Sequence, residues 1–236
     1  MVETTVQAQV PVLRAVQLGK RFDHKGRVLD VLRGVDLTVM RGEIVGIVGE
    51  SGAGKSTLLH CLGTLDSASS GELHIDGIDA TRMGSDALAH LRNTKIGFVF
   101  QSHHLLAEFT ALENVMMPGL IGGNPRAPLQ KRAEELLAVV GLEPRGDHRP
   151  SELSGGEQQR VALARALVLS PAIVMADEPS GNLDSKTAKQ IHELFFELNR
   201  ATNTTFVIVT HNNEFAAQLP RVVTMRDGSV LSDLRS

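Results

Sequence analysis

The chain has 236 residues, 42% of them hydrophobic and 22% charged, and carries a formal net charge of −3 at pH 7. That length suits one domain or two with a sizeable core, and the weak acidity, with no block of like charges, excludes the basic footprint of a nucleic-acid binder; no nucleic acid is expected among its partners. The single cysteine, Cys61, lies in the apolar run Leu58-Leu59-His60-Cys61-Leu62, which excludes a disulfide framework and reads as a small core residue in a reduced compartment. Met1-Val2-Glu3-Thr4-Thr5 lacks the basic and apolar regions of a signal peptide, and no window approaches about 18 apolar residues, so the chain is expected not to cross a membrane alone.

In chain order, residues 1–11 are polar and expected to be flexible, and 12–18 alternate like a half-buried strand. Lys20-Arg21-Phe22 leads to a turn at Asp23-His24-Lys25-Gly26, and residues 28–39 supply one or two strands, which together make a hairpin edge. With no Trp and no Tyr in the chain, Phe22 is the only aromatic before residue 49 that could stack on a nucleotide base; core filler is the other reading.

The apolar strand Glu43-Ile44-Val45-Gly46-Ile47-Val48 then runs into Gly49-Glu50-Ser51-Gly52-Ala53-Gly54-Lys55-Ser56-Thr57, a full match to the phosphate-loop pattern G-x-x-x-x-G-K-[ST]. Glycines let backbone N–H groups curl around a phosphate, and the helix expected from Gly54 to about Thr64 turns its electropositive N-terminus to the anion. Lys55 adds a charge for the outer phosphates, and the Ser56 hydroxyl is the candidate Mg²⁺ ligand. A nucleoside triphosphate is therefore the expected ligand.

Beyond the loop, 71–77 read as a short strand and turn, 85–92 as a helix, and 95–101 as a β-rich run ending in the polar amide of Gln101. From 102 to 149 helical patterns at 110–117 and 129–140 are separated by Pro118, Gly122-Gly123 and Pro125, which suggests a helical insert. His103 and His104 lack acidic or cysteine partners at helical spacing and read as an exposed contact loop. Ser154 and Glu157 fit a capping box at the start of a helix over 158–169, and Gly155 and Gly156 allow close approach of an anion. Ala172-Ile173-Val174-Met175-Ala176-Asp177-Glu178 is a buried parallel strand ending in two carboxylates, as a metal-assisted phosphoryl-transfer site needs for its cation and its water. A turn at Gly181-Asn182, a helix over 186–200, a buried strand over 205–211 tipped by His211, and a hairpin through Asp227-Gly228 close the chain.

Taken together and in order, the phosphate loop, Gln101, Leu153-Ser154-Gly155-Gly156-Glu157, Asp177-Glu178, Gly181-Asn182-Leu183-Asp184 and His211 resemble the nucleotide-binding subunit of ABC transporters over residues 12–232. Two positions depart from that pattern: Phe22 stands where the family often has tyrosine, and Asn212 follows His211 where aspartate is common. The resemblance implies an α/β P-loop NTPase core with a mostly parallel sheet, an antiparallel β subdomain and a helical subdomain at about 102–160, all in one nucleotide-binding domain. It implies an ATPase with ATP and Mg²⁺ as cofactors. Glu178, His211, Gln101 and Lys55 would be catalytic, and Ser56, Gln101 and Asp177 would organise the metal. Phe22, Gly49, Ser51, Gly52, Ala53, Gly54, Lys55, Ser56 and Thr57 would bind one nucleotide, while Ser154, Gly155, Gly156 and Glu157 would close over the nucleotide of a second copy in a head-to-tail dimer.

Within the family, Phe100-Gln101-Ser102-His103-His104-Leu105-Leu106, its continuation through Val115, and His148-Arg149-Pro150-Ser151-Glu152 resemble the lipoprotein-releasing branch, with the macrolide-efflux and cell-division ATPases as neighbours. This ranks lipoprotein release first, ahead of efflux or of a division-site ATPase gating a wall enzyme. It also implies two integral membrane subunits, LolC/LolE-like, met through about residues 101–119, and a peripheral place on the cytoplasmic face of the bacterial inner membrane.

Overall fold

The computed structural model describes residues 10–24 and 27–235. The expected flexible N-terminus therefore lies, up to residue 9, outside the described residues, as does part of the turn at 23–26. An antiparallel sheet begins the molecule: β1 (Leu13–His24) pairs with β2 (Arg27–Val39) on one side and with β4 (Ser70–Ile75) on the other, and β5 (Ile78–Asp79) closes the edge. Residues 28–39 thus belong to one strand, bent against its partner by register shifts between Ala15 and Arg21.

The second sheet has six strands in the order β10-β9-β3-β8-β7-β6, built from β3 (Ile44–Gly49), β6 (Ile96–Phe100), β7 (Ile173–Asp177), β8 (Thr205–Val209), β9 (Arg221–Arg226) and β10 (Ser229–Arg235). Every neighbouring pair is parallel except β9 with β10, the expected hairpin, where Asp227 and Gly228 take left-handed φ of 49° and 79°. The helices are α1 (Lys55–Leu62), α2 (Ser85–Lys95), α3 (Ala111–Ile121), α4 (Arg126–Val139), α5 (Gly155–Leu167), α6 (Ser185–Thr202) and α7 (Asn213–Ala216).

The apolar runs in the parallel strands are continuous because both sheet faces are covered. Side chains alternate between the faces, so Val45, Ile47, Ile173, Met175, Val207 and Val209 enter one core with α1 and the antiparallel sheet. Ile44, Val174, Ala176, Phe206 and Ile208 enter a second core with α3 to α6, around Phe195. Each large aliphatic side chain so buried contributes about 1.5–3 kcal/mol, which fixes strand register tightly. Cys61 is 1% exposed in the first core, where burial pushes its thiol up to about 11 and leaves it unreactive at neutral pH.

Element ends differ from the sequence reading in several places: β1 runs on to His24, α2 on to Lys95, α4 and α5 begin earlier at Arg126 and Gly155, β8 stops at Val209 before His211, and the short α7 was not expected. Two of the differences have a clear physical cause. Helix α3 continues through Pro118 to Ile121, because a proline this near the C-terminus forfeits only the bond to the Asn114 carbonyl, and its own carbonyl accepts from Asn93 Nδ2 at 3.0 Å. Helix α1 stops at Leu62, before Thr64, whose φ of 59° leaves the helical region.

Candidate functional site

Strand register assembles the site. Ile47 and Asp177 both stand opposite Val209, and Phe100 stands opposite Asp177, so β6, β7, β8 and β3 end in one row at the carboxyl edge of the sheet. The residues that follow those strands are Gln101, Glu178, His211 and the phosphate loop. In open α/β sheets this edge is where ligands bind. A cleft of about 470 Å³ opens there, lined by Ser51, Gly52, Lys55, Ser56, Gln101, Glu178 and His211 among others.

The loop is shaped by glycine where nothing else fits. Gly49 has φ 148°, and a Cβ there would stand 2.3 Å from the Met225 carbonyl; Gly54, the N-cap of α1, has φ 94°. No side chain caps α1, so the N–H groups of its first turn point into the cleft as free donors. Lys55 Nζ donates to the carbonyls of Gly49 and Glu50, at 2.9 and 3.0 Å, which holds the ammonium across the loop's mouth. Ala53 lies in the loop at 6% exposure, and its carbonyl accepts from Gly228 N–H at 3.2 Å, which ties the loop to the closing hairpin. Thr57 also lines the cleft.

Facing α1, Asp177 Oδ1 accepts from Ser56 Oγ at 3.1 Å, and Asp177 Oδ2 lies 3.8 Å from His60 Nε2. Burial pushes the Asp177 carboxyl above its usual range, against the opposing pull of the Ser56 hydroxyl and His60. A partly desolvated carboxylate beside a hydroxyl is a hard-oxygen donor set that a divalent cation would satisfy, so these residues fit Mg²⁺. Among the described residues no three acidic, His or Cys side chains gather to hold a metal by protein alone, which is usual where substrate phosphates complete the shell. His60 escaped the sequence reading; its signal was the i, i+4 spacing from Ser56, which puts both on the face of α1 that meets β7.

Glu178 follows directly. It has a left-handed φ of 46°, unusual without a glycine, and its N–H is fixed on the Val209 carbonyl at 2.9 Å. His211 contacts its carboxylate twice: Nδ1 lies 2.8 Å from Oε1, and the backbone N–H donates to Oε2 at 3.2 Å. One carboxylate is thereby aimed by a neighbouring strand's tip. Asn212 caps α7 by accepting from Phe215 N–H at 2.9 Å, a role that asparagine fills as well as aspartate.

Gln101 lines the cleft, but its amide nitrogen donates to Asn182 Oδ1 at 2.8 Å, and Asn182 Nδ2 donates back to the Gln101 carbonyl at 3.2 Å. The sequence reading had not paired them. Ser154, Gly155, Gly156 and Glu157 do not line this cleft. They form the start of α5, where Ser154 N–H donates to Glu157 Oε2 at 2.8 Å and Glu157 N–H to Ser154 Oγ at 3.3 Å, the expected capping box. At this helix start Ser154 and Gly155 are exposed, whereas Gly156 is buried, and a Cβ on it would stand 2.4 Å from Thr187 Cγ2. Phe22 is also apart from the cleft lining, 41% exposed on β1 with Lys20 Nζ 4.7 Å from its ring centre, whereas Val31 of β2 does line the cleft. A second, apolar groove of about 550 Å³ lies between α2, β6, α3 and α5, with Phe98, Phe100, His104, Leu106, Met117 and Arg165 in its walls.

Comparison with known proteins agrees with this geometry. The family model described as "ABC transporter" matches residues 32–181. The chain is similar to the lipoprotein-releasing system ATP-binding protein LolD of Geobacter metallireducens, 54% identical over 94% of this chain and 99% of that protein. Its counterpart of the same name in Porphyromonas gingivalis is 57% identical over 94% of this chain and 100% of its own length. Among solved structures, a dimeric ATP-binding cassette in a post-hydrolysis state bound to ADP and Pi superposes with a TM-score of 0.86 at 39% identity, covering 94% of this chain and 98% of that one.

Proposed function

Because the chain belongs to the ABC transporter family, as an ATP-hydrolysing subunit, we propose that its hydrolysis powers release of lipoproteins from the bacterial inner membrane towards the outer membrane. The observation that carries the ATPase reading is the strand row that sets Asp177 and Glu178 opposite Lys55 and Ser56. The cargo rests on relatives of that name above 50% identity along 94% of the chain. Residues 12–232 form one nucleotide-binding domain, with the helical subdomain at about 102–160.

In this reading the loop amides, the N-terminus of α1 and Lys55 bind the triphosphate, and Phe22, exposed on β1, offers a face to the base. Ser56 and Asp177, with Gln101, would hold Mg²⁺, which when bound neutralises charge on the outer phosphates. Glu178, fixed by His211 and by its own backbone, orients a water and takes its proton. His211 keeps Nε2 for the terminal phosphate. The exposed start of α5, Ser154 to Glu157, closes over the nucleotide of a second copy, consistent with the dimeric cassettes this chain resembles.

No helix among the described residues is long and apolar enough to cross a membrane, so force must pass to other chains. The apolar groove walled by Phe100, Leu106 and Met117, within and beside residues 101–119, suits an apolar helix from LolC/LolE-like membrane subunits, with the chain peripheral at the cytoplasmic face. The test is a mild-detergent pull-down from native membranes, with the recovered proteins identified, followed by ATP-dependent lipoprotein transfer. Membrane subunits carrying lipoproteins support the proposal. Recovery of an efflux assembly or of division proteins overturns the cargo and leaves the ATPase standing.

A further inference from the structure

Immediately after Gln101 the chain takes a rare course. His103 and His104 both have left-handed φ, 57° and 49°, with no glycine to ease either. Adjacent strained residues persist only where their surroundings over-determine them. Here the surroundings come from α5. Arg165 donates from one guanidinium nitrogen to the His104 carbonyl at 2.6 Å and from the other to the His103 carbonyl at 2.7 Å, a fork on two consecutive peptide oxygens. From the same helix Gln159, 1% exposed, donates to the Phe100 carbonyl at 3.3 Å. Gln101 therefore lies in a turn, closed by His103 N–H on the Phe100 carbonyl at 3.2 Å, whose two ends are both held by α5.

Arg165 has no carboxylate within ion-pair distance among the described residues, and burial in the groove wall lowers its pKa. A charge kept in such a place is costly unless its donors are well used, and here their recorded partners are those two carbonyls. Lysine could not do the same, because an ammonium lacks the planar fork.

We propose that Arg165 is a positioning residue for ATP hydrolysis: by forking onto the His103 and His104 carbonyls it maintains the strained turn that sets Gln101 at the nucleotide cleft and shapes the groove wall. It does not line the nucleotide cleft, which Gln101 does, so it acts through Gln101. The proposal rests on the ATPase reading above.

The test is steady-state ATP hydrolysis by the full chain, normalised to folded protein by thermal unfolding, for Arg165→Gln, Arg165→Lys, and Arg165→Gln combined with His103→Gly and His104→Gly. Arg165→Gln is expected to lower kcat about tenfold with KM for ATP within about twofold of the wild type, and Arg165→Lys to fall between them. The glycine pair removes the cost of left-handed φ and should raise kcat of Arg165→Gln at least threefold. Should Arg165→Gln not fold, Arg165→Lys with and without the glycines carries the same comparison. An active wild type with unchanged kcat in the Arg165 variants, or no recovery with glycine, overturns this proposal alone; a wild type without turnover overturns it together with the ATPase reading.

Discussion

Asp177 shows how a residue can be placed for chemistry against the interest of the fold. Its carboxylate sits at a strand end where burial raises its pKa, and the Ser56 hydroxyl and His60 offset only part of that. With the folded pKa above the unfolded one, the group favours the native state below its ordinary pKa of 3.8, and this contribution is lost as pH rises through the folded value. At neutral pH the ionised side chain is therefore a cost that a cation would offset. Asp177→Asn should raise the nucleotide-free melting temperature at pH 7 by a few degrees, the size of shift that about 1 kcal/mol produces in a chain this long, and should abolish Mg²⁺-dependent hydrolysis. Melting curves at pH 7 and below pH 3.8 check it: the gain should vanish in acid, and an equal gain at both pH values would show that ionisation is not its cause.

Residue types at the site were legible where the chemistry demands a pattern: the phosphate loop, the two acids and the tip histidine stand together as expected. Side-chain choices were not. Gln101 faces Asn182, 81 residues away, because both loops leave the same sheet edge, and no local pattern encodes that meeting. Asn114 likewise reads as an ordinary helical position, yet it is fully buried and donates to the carbonyls of Leu106, Phe109 and Thr110 while accepting from Leu106 N–H, pinning the loop that enters α3.

At the scale of elements, the loops around Glu178 are joined by a buried histidine on α6. His192 Nε2 lies 2.7 Å from Ser180 Oγ, and its ring stacks flat on Phe215 of α7, 3.7 Å between centres. Burial pushes the imidazole down to about 4. The neutral ring belongs to the fold, so its contribution is complete above pH 6.5 and is lost as pH falls from 6.5 to about 4, by about 3 kcal/mol at the acid end. His192→Phe retains a ring against Phe215 and removes the titration. Urea midpoints between pH 7.5 and 4.5 should fall less steeply for His192→Phe than for the wild type; parallel curves would assign the acid lability elsewhere. Periodicity gave the longer elements, whereas the four-residue α7 and the two-residue β5 are too short to carry a period, and ends such as Pro118 in α3 were set by where a lost hydrogen bond falls and what replaces it.

For the molecule as a whole, one mostly parallel sheet separates two cores and gathers the chemistry along one edge, while α5 runs from an outward-facing start at Ser154 to the groove wall at Arg165. The apolar runs showed single strands buried on both faces, whereas their assembly into one mostly parallel sheet with its flanking layers came from the family resemblance. The proposed meeting of the cleft with a second copy, and of the groove with membrane subunits, is not encoded in any strand pattern; it depends on surfaces, which resemblance alone could suggest.

The proposed function turns on Glu178 as the group that activates the water with which this chain hydrolyses ATP. The most direct measurement is phosphate release by the purified chain with Mg²⁺-ATP, wild type beside Glu178→Gln, with nucleotide affinity measured in parallel. Loss of a general base costs about 10²–10⁴ in rate, so Glu178→Gln should turn over at least a hundredfold more slowly while binding ATP with affinity within about threefold of the wild type. Hydrolysis by Glu178→Gln at the wild-type rate, or none by the wild type, would contradict the claim.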